Sequence, residues 1–320
     1  MAGLGVAVVG LGWWGRTILS LLRGSRKLQV VRCVDPFVRE PGVDADLDEA
    51  LADPRVQAVI LCTPHSQHTE QILRGAGAKK HVFCEKPLSL TRADVERAVR
   101  ACNDNRVVLA VGHEKRFEPP IRELFRMAKM GELGTLLQVE ANFSQDKFLA
   151  LPADNWRLSE KEAPAGPMTA TGIHLLDLSV GLLGPAERVF ASVRQLGSQL
   201  KNGDTLGVLV NFKSGANALL SAILATPFEG RFALYGTKGW AEVRDKAHPE
   251  APKGWVLMKN NKDTVDYPPA NAVLANLEAF ADAVEGRAAY PVPQEQMIAN
   301  IAALEAVFKS SVSGKVETVE

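Results

Sequence analysis

Six residues near the amino terminus, Gly10-Leu11-Gly12-Trp13-Trp14-Gly15, have the form G-x-G-x-x-G. They follow the apolar run Val6 to Val9 and lead into the helical pattern Ile18, Leu19, Leu22. In that setting Gly10 permits a tight turn, Gly12 lets the backbone approach a pyrophosphate, and Gly15 lets helix and strand pack closely. Trp13 and Trp14 join this cofactor-binding set, as packing around the turn more than as stacking partners. Asp35 ends the next apolar run, about 20 residues past Gly15, where a carboxylate accepts hydrogen bonds from an adenosine ribose. A carboxylate there repels a 2′-phosphate, so NAD is favoured, while Arg39 keeps NADP open. The alternative is a structural glycine turn with a strand-ending Asp.

Two further groups bear proton chemistry. In Glu85-Lys86-Pro87, at the end of an apolar strand, the Lys86 ammonium would project from the carboxyl edge of a parallel sheet, where open α/β sheets bind ligands. Alone, a lysine before proline is a solvated turn residue. His174 and Asp177 stand three apart in a helical pattern, so the carboxylate could orient the imidazole or raise its basicity. Such an imidazole takes the proton of a substrate hydroxyl as hydride leaves the same carbon. The alternative is a histidine and aspartate satisfied in a domain interface.

Thr63-Pro64-His65-Ser66-Gln67-His68 and Glu85-Lys86-Pro87, with Gly112-His113-Glu114-Lys115-Arg116, Gly166 to Leu178 and Tyr235-Gly236-Thr237-Lys238-Gly239, cover almost the whole chain. Together they resemble the glucose-fructose oxidoreductase, inositol dehydrogenase and rhizopine-catabolism (Gfo/Idh/MocA) family. The resemblance implies a nucleotide-binding Rossmann domain, a second domain whose open sheet mediates oligomerisation, and hydride transfer at a carbinol carbon of a sugar, cyclitol or related polyol. It also implies that Thr63, Pro64, His68 and Glu85 lie along the nicotinamide half of the cofactor, that Lys86 reaches the reacting oxygen, and that His174 is the catalytic histidine. One position departs from the pattern. Many members carry an aspartate four residues before that histidine, and here Ala170 stands there, leaving Thr169 and Thr171 as candidate hydroxyls for the pocket. That departure keeps two other readings in view: a nucleotide-bound sensor or partner-binding protein, and a hydrolase or epimerase using NAD transiently. Trp156-Arg157 would offer substrate or nicotinamide an aromatic wall and a cation, or else anchor its loop. Arg116 faces the cleft or pairs with Glu118 on the surface. His65 and His81 read as structural or exposed, and Tyr290 is isolated.

These residues need two kinds of scaffold. Apolar runs at Val6 to Val9, Leu28 to Val34, Ala58 to Cys62, Val82 to Cys84 and Val107 to Val111 alternate with helical patterns, one of them N-capped by Thr91. That predicts an α/β Rossmann domain, a doubly wound parallel sheet, over residues 1–119, ending at Glu118-Pro119-Pro120. From Leu137 the period becomes two, which predicts an α+β domain over 120–320 with a large, mostly antiparallel open sheet. Hairpins are expected at Lys213-Ser214-Gly215 and Thr237-Lys238-Gly239, and helices near 172–183, 272–285 and 294–311.

Composition narrows the partners. The chain has 320 residues, 46% hydrophobic and 23% charged, which fits two globular domains. Its 37 Lys plus Arg balance 37 Asp plus Glu, and no basic run occurs, so nucleic acid is not an expected partner. No apolar run reaches membrane-spanning length, and the opening stretch is broken by glycines and Arg16, unlike an export signal. Cys33, Cys62, Cys84 and Cys102 lack C-x-x-C spacing and read as free thiols of a cytoplasmic protein without a metal site. A small polyhydroxylated substrate and a homo-oligomer are expected.

Overall fold

A computed structural model describes residues 3–320. The chain forms two compact units. The first holds the residues up to Glu114 together with Val273–Ile298, and the second holds Lys115–Ala272 and Ala299–Glu320.

In the first unit six strands, β1 (Leu4–Val9), β2 (Leu28–Val34), β3 (Val43–Asp44), β4 (Ala58–Leu61), β5 (His81–Cys84) and β6 (Leu109–Val111), form one sheet in the order β3-β2-β1-β4-β5-β6. Every pairing is parallel, so all six carboxyl ends share one edge. β1, β4 and β6 are buried throughout, because helices cover both faces of a parallel sheet. The helices are α1 (Trp13–Leu22), α2 (Leu47–Ala52), α3 (His68–Gly77) and α4 (Arg92–Asn105), the last capped by the Thr91 side chain accepting from the Asp94 N–H.

The expected break at Pro119-Pro120 and the compact division differ in one informative way. A helix near the carboxyl terminus, numbered below as α7 (Ala272–Val284), places Leu277, Phe280 and Ala281 in the core of the first unit, with Val6, Val8, Ile60 and Phe83. The rings of Phe280 and Phe83 meet edge to face at 5.8 Å. Apolar residues at i, i+3 and i+4 announce a buried helical face, but they do not say which sheet it covers.

The second unit begins with α5 (Pro119–Lys129), which has proline in its first turn, where a missing N–H costs nothing. Nine strands follow: β7 (Leu136–Ser144), β8 (Ala186–Arg194), β9 (Thr205–Phe212), β10 (Asn217–Ile223), β11 (Glu229–Gly236), β12 (Gly239–Asp245), β13 (Trp255–Lys259), β14 (Asp263–Tyr267) and β15 (Glu317–Thr318). Their order is β14-β13-β12-β11-β7-β10-β9-β8-β15, antiparallel except where β7 pairs with β10. Both expected hairpin turns form, with Gly215 at φ +89° and Gly239 at φ +147°. Along β9, Leu206, Val208, Val210 and Phe212 are buried while Leu209 is exposed, the alternation of a sheet covered on one face. α6 (Ile173–Leu183) packs on β7 and β10, and α8 (Gln294–Ser313) is the longest helix. On the opposite face Phe190, Leu209 and Leu219 stand directly across from one another on β8, β9 and β10, each exposed. Among the described residues no helix is long and apolar enough to cross a membrane.

Candidate functional site

In the first unit the common carboxyl edge carries Gly10 after β1, Asp35 after β2, Thr63 after β4, Glu85 after β5 and Gly112 after β6. Each glycine of the turn has a distinct steric reason. Gly10 has φ +88°, and a Cβ there would lie 2.9 Å from the Cys62 carbonyl carbon. A Cβ on Gly15 would overlap the Gly10 carbonyl oxygen. Gly12 has nothing within 4 Å of its Cβ position. It precedes α1, which has no side-chain cap and no acid in its first turn. Open space before uncapped helical N–H groups accepts a diphosphate. Asp35, 9% exposed, accepts the Leu11 N–H at 2.7 Å and the Phe37 N–H at 2.8 Å. It therefore buckles the glycine turn to the end of β2 and still has lone pairs for a ribose. Arg39 donates to the Pro36 carbonyl at 2.8 Å. Trp14 packs against the core, and Trp13, half exposed, tilts across it at 5.5 Å. These residues fit a dinucleotide.

At the centre of the same edge, Glu85 is buried with its carboxylate over Gly112, where a Cβ would come within 2.6 Å. Burial, and next the Glu114 charge, push the Glu85 carboxyl up to about 7, opposed by the Trp14 indole and the Lys86 ammonium. The Lys86 N–H lies 3.3 Å from Glu85 Oε2, and its side chain is half-buried. His68 is fully buried: Nδ1 is 2.8 Å from the Pro87 carbonyl oxygen and Nε2 is 3.0 Å from that of Thr63. Its ring thus ties the turn after β4 to the turn after β5. Thr63 Oγ1 donates to Gln71 Oε1 at 2.6 Å. His81 accepts the Val108 N–H through Nδ1, which makes it structural, as expected.

Tyr290 is not isolated. Its hydroxyl lies 2.8 Å from the Val111 carbonyl oxygen and 2.6 Å from Asn276 Oδ1, while Asn276 Nδ2 donates to the same carbonyl at 3.0 Å. The pair fixes the end of β6 just before Gly112. Sequence reasoning missed both, and the only signal was a polar residue on an apolar helical face.

In the second unit His174 occupies the first turn of α6, 3% exposed, with the Phe143 ring centroid 6.0 Å from its own. A π-helical turn, Met168–Gly172, leads into it, a distortion frequent at functional sites. Ala170 sits half-buried in that turn. Thr169 and Thr171 direct their hydroxyl hydrogens back to the Gly166 and Pro167 carbonyls, each at 3.2 Å, which leaves their oxygens as acceptors only.

Asp177 and Arg116 meet one another. Asp177 takes a forked pair from Arg116, Nε to Oδ2 at 2.6 Å and Nη2 to Oδ1 at 3.0 Å, and its carbonyl takes another bond at 2.7 Å. Both are buried, and a Cβ on Gly181 would overlap the guanidinium. This is the geometry of a buried, forked ion pair. Lys115, rather than Arg116, meets Glu118 at 3.1 Å and Asp245 at 3.2 Å. Burial lowers the pKa of that ammonium, but Asp245 and Glu118 outweigh it and hold the pKa above its ordinary value. Trp156 and Arg157 are half-buried in a 3₁₀ turn, with the guanidinium 4.2 Å over the indole and the Asn155 side chain capping the Arg157 N–H at 3.0 Å. Among the described residues no cluster of three His, Cys, Asp or Glu is placed to hold a metal ion.

Comparison with known proteins agrees with this arrangement. Residues 4–113 match the model of an oxidoreductase family with an NAD-binding Rossmann fold, and residues 121–242 match the GFO/IDH/MocA C-terminal domain. The 1,5-anhydro-D-fructose reductase of Ensifer adhaerens is 30% identical over 281 residues, 86% of this chain and 83% of that protein. The myo-inositol 2-dehydrogenase of Thermotoga maritima is 32% identical over 203 residues, 61% of this chain and 58% of that protein. The crystal structure of GenD2 from gentamicin A biosynthesis in complex with NAD has the same fold, with a TM-score of 0.85 and 24% identity over 100% of this chain and 97% of that one. With a glycine turn open at a helix N-terminus and both domain models matched in order, the chain belongs to the Gfo/Idh/MocA family of NAD(P)-dependent oxidoreductases.

Proposed function

We propose that this protein is a dehydrogenase acting on a CH–OH group of a sugar, cyclitol or related polyol. The observation that carries the reading is Lys86, held beside Glu85 at the carboxyl edge that also bears the open glycine turn. Gly10, Gly12, Gly15 and Asp35 would hold the adenosine and diphosphate portion of NAD(P), and Thr63, Pro64 and Glu85 its nicotinamide portion. The bound cofactor supplies a hydride acceptor or donor. The Lys86 ammonium donates a hydrogen bond to the reacting oxygen and favours its alkoxide form, and the His174 imidazole removes or returns the hydroxyl proton. His68 braces the two turns that flank Lys86, so the ammonium keeps its aim.

NADH fluorescence titration and nicotinamide absorbance with a panel of sugars, cyclitols and sugar acids test this reading. Lys86→Met and His174→Ala should each abolish turnover and leave NADH binding nearly intact; unchanged rates would remove them from the mechanism. The Ala170 methyl favours a second reading, in which NAD is held without net turnover. Under it no panel member changes the absorbance, while a sugar or protein shifts NAD affinity. Assembly of copies through the exposed Phe190, Leu209 and Leu219 row belongs to the same proposal, and Leu209→Asp should reduce the sedimenting mass.

A further inference from the structure

β7 ends near the His174 imidazole, and the groups at that end have no part in the chemistry above. The Phe143 ring that neighbours His174 also lies 6.2 Å from Phe228 and 6.3 Å from His248, with Phe228 and His248 edge to face at 5.5 Å. Two residues beyond Phe143, just past the end of β7, Gln145 is 7% exposed. Its Oε1 is 2.6 Å from His248 Nε2.

A carboxamide oxygen only accepts, so His248 Nε2 carries the hydrogen and Nδ1 keeps its lone pair. The surroundings of Nδ1 agree: the Lys147 ammonium is 3.0 Å away and the Glu250 N–H is 3.2 Å away, both donors. Burial, and then the Lys147 charge, lower the His248 pKa to about 4, consistent with a neutral ring of fixed tautomer. The amide is thereby oriented. Its oxygen is engaged by His248, its backbone N–H goes to the Ile223 carbonyl at 2.8 Å, and its amide hydrogens meet no acceptor among the described residues.

We propose that Gln145 binds substrate next to His174, donating from its side-chain amide to a hydroxyl or carbonyl oxygen of the polyol, with His248 as the positioning residue that turns the amide outward. This rests on the dehydrogenase reading for His174 and extends it to the choice of substrate.

The test uses the full chain with myo-inositol, D-xylose and 1,5-anhydro-D-fructose. Gln145→Glu keeps the shape and the acceptor for His248 but removes the donor; KM for the sugar that turns over should rise about tenfold, with NADH affinity unchanged. His248→Ala should raise KM by less, His248→Gln should restore it by returning an N–H to the Nε2 position, and the Gln145→Ala/His248→Ala pair should be no worse than Gln145→Ala. An unchanged KM in Gln145→Glu, or additive losses in the pair, overturns the assignment. Should the parent protein turn over none of the three, the dehydrogenase reading fails by itself, and the Gln145 assignment is decided by saturation-transfer NMR of the same sugars on the NADH-loaded protein. A signal lost in Gln145→Glu supports the assignment; equal signals in both proteins, or none in either, overturn it.

Discussion

Glu85→Gln separates the shape of a buried side chain from its charge. Glutamine keeps the volume over Gly112 and the acceptor for the Lys86 N–H but never ionises. The Glu85 carboxyl titrates at about 7 in the fold against an ordinary 4.5. Because the folded state binds this proton more tightly than the unfolded state, rising pH favours unfolding. Below the unfolded value the carboxyl is protonated in both states and contributes nothing. As pH rises from 4.5 through 7 the penalty grows, and it is complete above 7. At about 1.4 kcal/mol per pH unit the interval amounts to about 3 kcal/mol. Urea unfolding of the cofactor-free protein at pH 5, 6, 7 and 8, followed by tryptophan fluorescence, measures it. The glutamine variant should be the more stable, by under about 1 kcal/mol at pH 5 and by about 3 kcal/mol at pH 8. A difference that stays constant with pH, or a parent protein that gains on the variant as pH rises, would refute the reasoning.

Other substitutions separate binding from folding. Gly12→Ala adds a methyl in open space and should leave stability within about 1 kcal/mol while weakening NADH more than tenfold, whereas Gly15→Ala should cost about 1–3 kcal/mol in urea unfolding because the methyl meets the Gly10 carbonyl. Gly181→Ala should destabilise by about 2 kcal/mol, as displacing Arg116 strips buried Asp177 of its forked partner, even though helix propensity alone favours alanine by about 1 kcal/mol; a stabilised variant in thermal unfolding would show that the guanidinium relocates freely. Asp35→Ala should raise the NAD dissociation constant about tenfold and that of NADP less, and equal losses would remove the argument for NAD.

Much of the fold was legible locally. Continuous apolar runs marked the parallel strands, and alternation marked the antiparallel ones, because burial on two faces or on one leaves a direct trace in hydrophobic period. Four strands went unseen: β3, β14 and β15 lie at sheet edges and bury too little to leave a pattern, while β13 buries only Trp255 and Leu257 in a five-residue stretch. Site chemistry divided the same way. The glycine turn and Asp35 were readable because dinucleotide binding draws on neighbouring backbone at one strand end. The spacing of His174 and Asp177 was readable as well, but the Arg116 partner of Asp177 was not.

By itself, the sequence determined which residue types occur at which helical or strand spacing, and hence the nucleotide-binding edge; the resemblance carried by its motifs added the Lys86 and His174 candidates and the class of chemistry. Tertiary structure alone decided the pairings. Arg116 reaches Asp177 across 61 positions, Tyr290 reaches Val111 across 179, His248 reaches Gln145 across 103, and α7 completes the core of a unit whose other elements end at Glu114. A buried polar group must find a partner wherever the fold places one, and linear spacing carries no record of contacts made by segments that meet only after the chain has closed on itself.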